Sequence, residues 1–74
     1  MLTTLRRNRL IANTTRNLAR AADLNDNPNH RTISTDQVIA HAWTNHLLTI
    51  TAAEAQPHVD AALAHWRLQP PQTA

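Results

Sequence analysis

Four arginines and an asparagine, Arg6, Arg9, Asn13, Arg16 and Arg20, follow one another at intervals of three or four residues near the N-terminus. That spacing places side chains along one flank of a helix. A guanidinium presents a planar fork of donors that meets a phosphate or carboxylate with two parallel hydrogen bonds. From Arg6 to Arg20 a helix rises about 21 Å, at 1.5 Å per residue, so the row has the reach to follow a polyanion. No aromatic residue is interleaved with it, which argues against stacking on the bases of a single strand. The plainer reading of the same residues is a solvated basic face that keeps an alanine-rich chain in solution.

The other reactive side chains carry less. Five histidines invite a metal site, but His41 and His46 fall about 140° apart on a helix, and His58 and His65, though on one face with Glu54, are two turns or roughly 10 Å apart. Neither pair chelates alone, and no metal is expected. At an interface, such histidines would make association sensitive to pH near 6. Glu54 and His58 stand at i and i+4, like an acid–base pair; a capping box followed by a solvent face gives the same two residues. The chain has no cysteine, lysine or tyrosine, and Ser34, its one serine, stands where a helix cap belongs. Nucleophilic catalysis therefore lacks raw material. Asp23, Asn25, Asn27 and Asn29 are spaced like the oxygen ligands that open an EF-hand loop, yet the sixth position, which needs glycine, is Pro28, and the twelfth, which needs a bidentate glutamate, is Ser34. Neither cofactor nor small-molecule substrate is expected, and the chain reads as a non-enzyme.

Three helices must position these residues. Over 3–24, Leu5, Ile11, Ala12, Thr15, Leu18, Ala19 and Ala22 form a core-facing stripe with the basic flank beside it. Leu10, Asn17 and Leu24, with Thr14 and Ala21 between, resemble a short coiled-coil seam with a central Asn. The surface of Leu10, Asn17, Ala21 and Leu24 is thus a candidate for homodimerisation or for a protein partner. The run Asn25 to Asn29 should end the helix, with an Asn in the left-handed cap role that glycine usually fills and Pro28 forbidding continuation. Ser34 or Thr35 caps a second helix, about 35–49, with Ile39, Ala40, Trp43, Leu47 and Ile50 on its apolar side. Thr51 and Glu54 form a capping-box pattern for a third helix, about 52–67, in which Ala55, Val59, Ala62, Leu63 and Trp66 share a face and Pro57 should bend the helix or delay its regular part. Trp43 and Trp66 both read as core anchors.

The expected fold is therefore all-α: one small three-helix domain over 1–68, helix one packed on an antiparallel hairpin of the other two, followed by a Pro-rich tail, 69–74. The stretch from Leu48 to Leu63 resembles the recognition half of a winged-helix domain without its wing. A groove-reading helix wants positive charge, however, and the third helix carries Glu54 and Asp60 against Arg67. On that resemblance, phosphate contacts would fall to helix one.

Composition agrees. At 74 residues, with 13 alanines and no glycine, the chain buries only about 60% of its unfolded surface; it should have no room for a pocket of the usual ~300 Å³ or more, and it lacks the residue that hairpin turns and phosphate loops require. Without cysteine it has no disulfide or thiolate staple. The formal charge of +2 conceals a dipole: residues 1–24 hold five arginines and one aspartate, and the remainder two arginines and four acids. The first segment should accordingly meet nucleic acid or an acidic protein. Binding of duplex DNA phosphates by a small regulatory or accessory protein is the leading expectation. An inhibitor or adaptor that docks helix one on an acidic protein partner is the rival; adsorption to an anionic membrane would be weak for so alanine- and threonine-rich a stripe. No segment approaches the length of a membrane span. Arginine as the sole basic residue besides histidine, and abundant alanine, suggest a GC-rich bacterial or phage gene and a cytoplasmic protein; the acid-free, Arg-rich residues 1–22 also match a mitochondrial transit peptide.

Overall fold

The computed structural model describes residues 3–71 of the chain. It is a small all-α domain of three helices, α1 (Thr4–Asp23), α2 (Thr35–His46) and α3 (Ala52–His65), with one 3-10 turn, Pro28–His30, between the first two. Each long helix begins on a hydroxyl cap. The Thr3 side chain accepts from the Arg6 amide, the Ser34 side chain from that of Gln37, and the Thr51 side chain from that of Glu54. At Ser34 and Thr51 the third residue returns the bond, completing two capping boxes.

α1 and α3 run parallel, because side chains near their starts, Arg7 and Glu54, and near their ends, Asp23 and Arg67, meet as ion pairs. α2 runs against both and forms the expected hairpin with α3. The core is built from Ile11 and Ala19 of α1, Val38 and Ala42 of α2, Ala55, Val59 and Ala62 of α3, and three residues outside the helices, Ile33, Leu48 and Ile50. Thr14 and Thr15 are buried with it. Their hydroxyls donate to the Leu10 and Ile11 carbonyls at 2.8 Å each, so each threonine satisfies its polar atom within its own helix and packs as a small β-branched residue.

Four residues expected in the core, Leu5, Ala40, Trp43 and Leu47, are exposed instead. Leu5 is 69% exposed; it precedes Ile11, the first buried residue, by six positions and points about 120° away from it, and Thr14 occupies the core edge instead. On α2 the buried residues are Val38 and Ala42, with Ile39 half-buried, and Ala40 is exposed. Trp43 is 55% exposed and Leu47 75%. The expected stripe is thus turned by one residue, about 100°, and the cause lies after the helix. α2 stops at His46, not Thr49, and Leu47 takes the left-handed cap at φ 52, which releases Leu48 and Ile50 to plug the core from the loop. They provide the bulk that the sequence pattern assigns to Trp43 and Leu47, and small residues on α2 suffice.

The Asn-rich linker works through side chains. Leu24 caps α1 with an ordinary right-handed backbone, and among the described residues Leu47 alone has a positive φ, so no asparagine takes the left-handed role. Asn25 Oδ1 instead accepts from the Asn27 amide, and Asn27 Oδ1 from that of Asn29, two successive Asx turns. α3 runs unbroken from Ala52 through Pro57. Gln69, where the tail begins, is held: its amide donates to the Arg31 carbonyl, its own carbonyl accepts from Ile33, and Thr32 and Gln69 form an isolated parallel bridge. Residues 72–74 of the tail lie outside the described residues.

Candidate functional site

The fold sorts the seven arginines into two groups. Arg7 is bound to Glu54 and to the Thr49 carbonyl, Arg31 donates to the Asn25 carbonyl at 2.9 Å, and Arg67 faces Asp23. Arg6, Arg9, Arg16 and Arg20 are exposed, and among the described residues their side chains make no ion pair or intramolecular hydrogen bond. Asn13 between them is exposed as well. At 100° per residue these five positions fall within an arc of about 80°, centred opposite Ile11. Because Ile11 is fully buried, the arc points straight away from the core.

Arg7 shows why one arginine of the segment is excluded from that row. It stands four residues before Ile11, on the core side of α1, where it reaches the loop between α2 and α3 and the start of α3. Its Nε donates to one carboxylate oxygen of Glu54, and its Nη2 donates to the other at 2.9 Å and to the Thr49 carbonyl. Glu54 Oε1 also accepts from the Thr51 amide at 3.0 Å. One carboxylate thus closes the α3 capping box and anchors α1. The hydrogen bonds from Arg7, then those from Thr51, hold the Glu54 carboxyl down at about 2, against an ordinary 4.5, and the same bond raises the Arg7 guanidinium further above its already high range. Glu54 is therefore held ionised by the bonds that close the α3 cap and anchor α1.

At the other end of α1, Asp23 Oδ1 is buried and receives no hydrogen bond among the described residues; Arg67 Nε, 3.5 Å away on a largely exposed side chain, offers charge without a hydrogen bond. Such a pair contributes little.

The coiled-coil-like seam is divided. Leu10 is half-buried and packs on the core, which removes it from a free surface. Asn17 and Ala21 line a groove between α1 and α2 with Thr14, Leu18, His41, Asn45 and His46, and Leu24 is 74% exposed. On the opposite edge of α1, Ala12, Thr15 and Arg16 face His58, Ala61, Ala62, His65 and Trp66 of α3 and its cap across a groove of about 430 Å³, which corrects the expectation that so short a chain has no room for a cleft of ~300 Å³: the small residues on both helices leave it open. Arg16 thus belongs both to the exposed row and to a groove wall. The sequence places Trp66 on the core side of α3, and it does pack against the core, but its place in the wall of the same groove as Arg16 follows only from the parallel packing of α1 and α3.

Among the described residues no group of three or more histidines and acids is placed to hold a metal ion, and no helix is long and apolar enough to cross a membrane. No protein-family model matches the chain, and no curated protein or solved structure matches it either.

Proposed function

We propose that this is a small non-enzymatic regulatory or accessory protein that binds nucleic acid, on the phosphates of duplex DNA, through the outward face of α1. The observation that carries the reading is the division of the arginines. Wherever an arginine serves the fold it has a partner; the four without one among the described residues form a single row about 21 Å long, which matches about six base-pair steps at 3.4 Å. Unpaired guanidiniums need not break an existing bond before they meet a phosphate. Asn13, in the middle of the row, adds a neutral donor for a phosphate oxygen.

Anisotropy of a labelled duplex, titrated at a series of salt concentrations, tests this. Neutralising four phosphates gives a slope of log K against log salt near −3.6, at about −0.9 per phosphate. Replacing Arg6, Arg9, Arg16 or Arg20 by alanine should each reduce the slope by about 0.9, and Arg7→Ala should leave it unchanged. No binding at about 50 mM salt, or a slope that Arg7→Ala alters as much as Arg9→Ala does, overturns the reading.

One observation favours a second reading, docking of α1 on an acidic protein: Leu5 and Leu24, both exposed, stand at the two ends of the basic face and, with Asn17 and Ala21, would give an interface apolar anchors. In that case charge reversals at one or two arginines, together with Leu24→Asp, would remove nearly all binding, in place of the even losses expected on DNA.

A further inference from the structure

The groove between α1 and α3 joins three features that occur apart elsewhere on the surface. Its middle is lined by small side chains, Ala12, Thr15, Ala61 and Ala62, which leave the two helices separated by open volume. One wall holds Arg16, the member of the exposed row that borders α3. The other holds His58, His65 and Trp66, the last with its indole packed partly on the core and His65 edge-on to it at 5.5 Å between ring centres. The groove between α1 and α2 is smaller, about 250 Å³, and has neither an arginine nor an indole in its walls.

A cation, an indole and an apolar floor within one cleft of about 430 Å³ match two parts of one nucleotide, its phosphate and its flat base. A base has an apolar face that stacks on an aromatic ring whatever its identity. The volume lies within the range of small-ligand clefts, roughly 300–1,000 Å³. The stacking surface that α1 lacks in its own sequence is brought to it by α3. A strand whose phosphates follow the arginine row passes the mouth of this groove at Arg16.

We propose that the α1/α3 groove receives a single unpaired nucleotide, its base against the Trp66 indole and the alanine floor and its phosphate on the Arg16 guanidinium; the proposal rests on α1 meeting nucleic-acid phosphates. The ring nitrogens of His58 and His65 offer hydrogen bonds to the edge of the base. The protein then holds a strand with an unpaired base more tightly than a fully paired duplex of equal length.

The test uses the Trp43→Phe variant of the full chain, which leaves Trp66 as its one indole. It is titrated with deoxyadenosine monophosphate, with a short single-stranded oligonucleotide and with inorganic phosphate, and labelled duplex binding is measured in parallel. The mononucleotide and the single strand should both quench Trp66 emission, phosphate alone should not, and Ala61→Leu, which fills the groove, should abolish the quenching and weaken strand binding about tenfold. Circular dichroism establishes that the filled variant keeps its helices, and the quenching in the unfilled protein stands as a readout independent of it. If duplex binds with the arginine-dependent salt slope while neither nucleotide ligand moves Trp66, or if phosphate alone reproduces the change, the groove proposal falls and the phosphate reading survives. If neither duplex nor single strand binds, both fall.

Discussion

The Arg7 guanidinium meets the Glu54 carboxylate side-on, two nitrogens to two oxygens, across 47 residues of sequence. Through Glu54 it also reaches the Thr51 amide, so the start of α3 and the first turns of α1 share one carboxylate. The ionised form of Glu54 is the one that makes every one of these bonds.

Acid should therefore loosen the domain in a defined window. The Glu54 carboxyl titrates at about 2 in the folded protein, against an ordinary 4.5, so the folded state binds this proton more weakly than the unfolded chain does. The resulting stability is fully present above about 4.5 and is lost as pH falls towards 2. Thermal melts followed by circular dichroism from pH 7 to pH 2 should show the midpoint falling through that window. Glu54→Gln should melt lower than the parent at pH 7 and converge with it at the acid end. Parallel curves at all pH values would remove Glu54 from this role.

Leu47 offers a stabilising change. A side chain with a Cβ in the left-handed region costs roughly 1–2 kcal/mol, and this one is largely exposed, so it recovers little by packing. Leu47→Gly should relieve that cost at an entropic penalty of about 0.5–1 kcal/mol. The net gain of up to about 1.5 kcal/mol, centred near 0.75 kcal/mol, corresponds to a rise in Tm of roughly 3–6 °C for a domain of this size. A fall in Tm would mean that the Leu47 side chain carries contacts of its own.

The turned face of α2 makes a further comparison decisive. Val38→Ala, at a fully buried position, should cost about 2 kcal/mol in urea unfolding. Trp43→Ala removes a much larger side chain but should cost less than about 1 kcal/mol. The reverse order would restore Trp43 to the core.

The residues that were legible in the sequence are those whose role is set within a few neighbours. Ser34 with Gln37 and Thr51 with Glu54 cap helices through bonds spanning three residues, and the pattern alone locates them. The outward row on α1 is equally local, since periodicity fixes its direction once Ile11 and Ala19 are inside. What could not be read depends on partners remote in the chain. The burial of Leu48 and Ile50 from a loop decided which side of α2 faces inward, and no period announces a residue that packs after its helix has ended. Arg7 differed from its neighbours only by lying on the core side of α1, four residues before Ile11; that position is a signal for a buried-edge ion pair, but it names no partner. The placing of Arg16 and Trp66 on the walls of one groove required the parallel alignment of α1 and α3, which no feature of either segment encodes.

That alignment bears on the energetics of any encounter. α1 is fastened near its start by a bidentate pair, weakly near its end by Asp23 and Arg67, and along its length by the core. The backbone positions that carry the four exposed arginines accordingly keep a fixed pitch, like the marks on a ruler, before any partner arrives. An isolated basic peptide of the same length would have to order its backbone on contact, at about 1–2 kcal/mol per residue; here that ordering is already complete when the chain has folded. Association should then resemble the docking of a rigid surface, with the small heat-capacity change of an interface that buries charge and little apolar area.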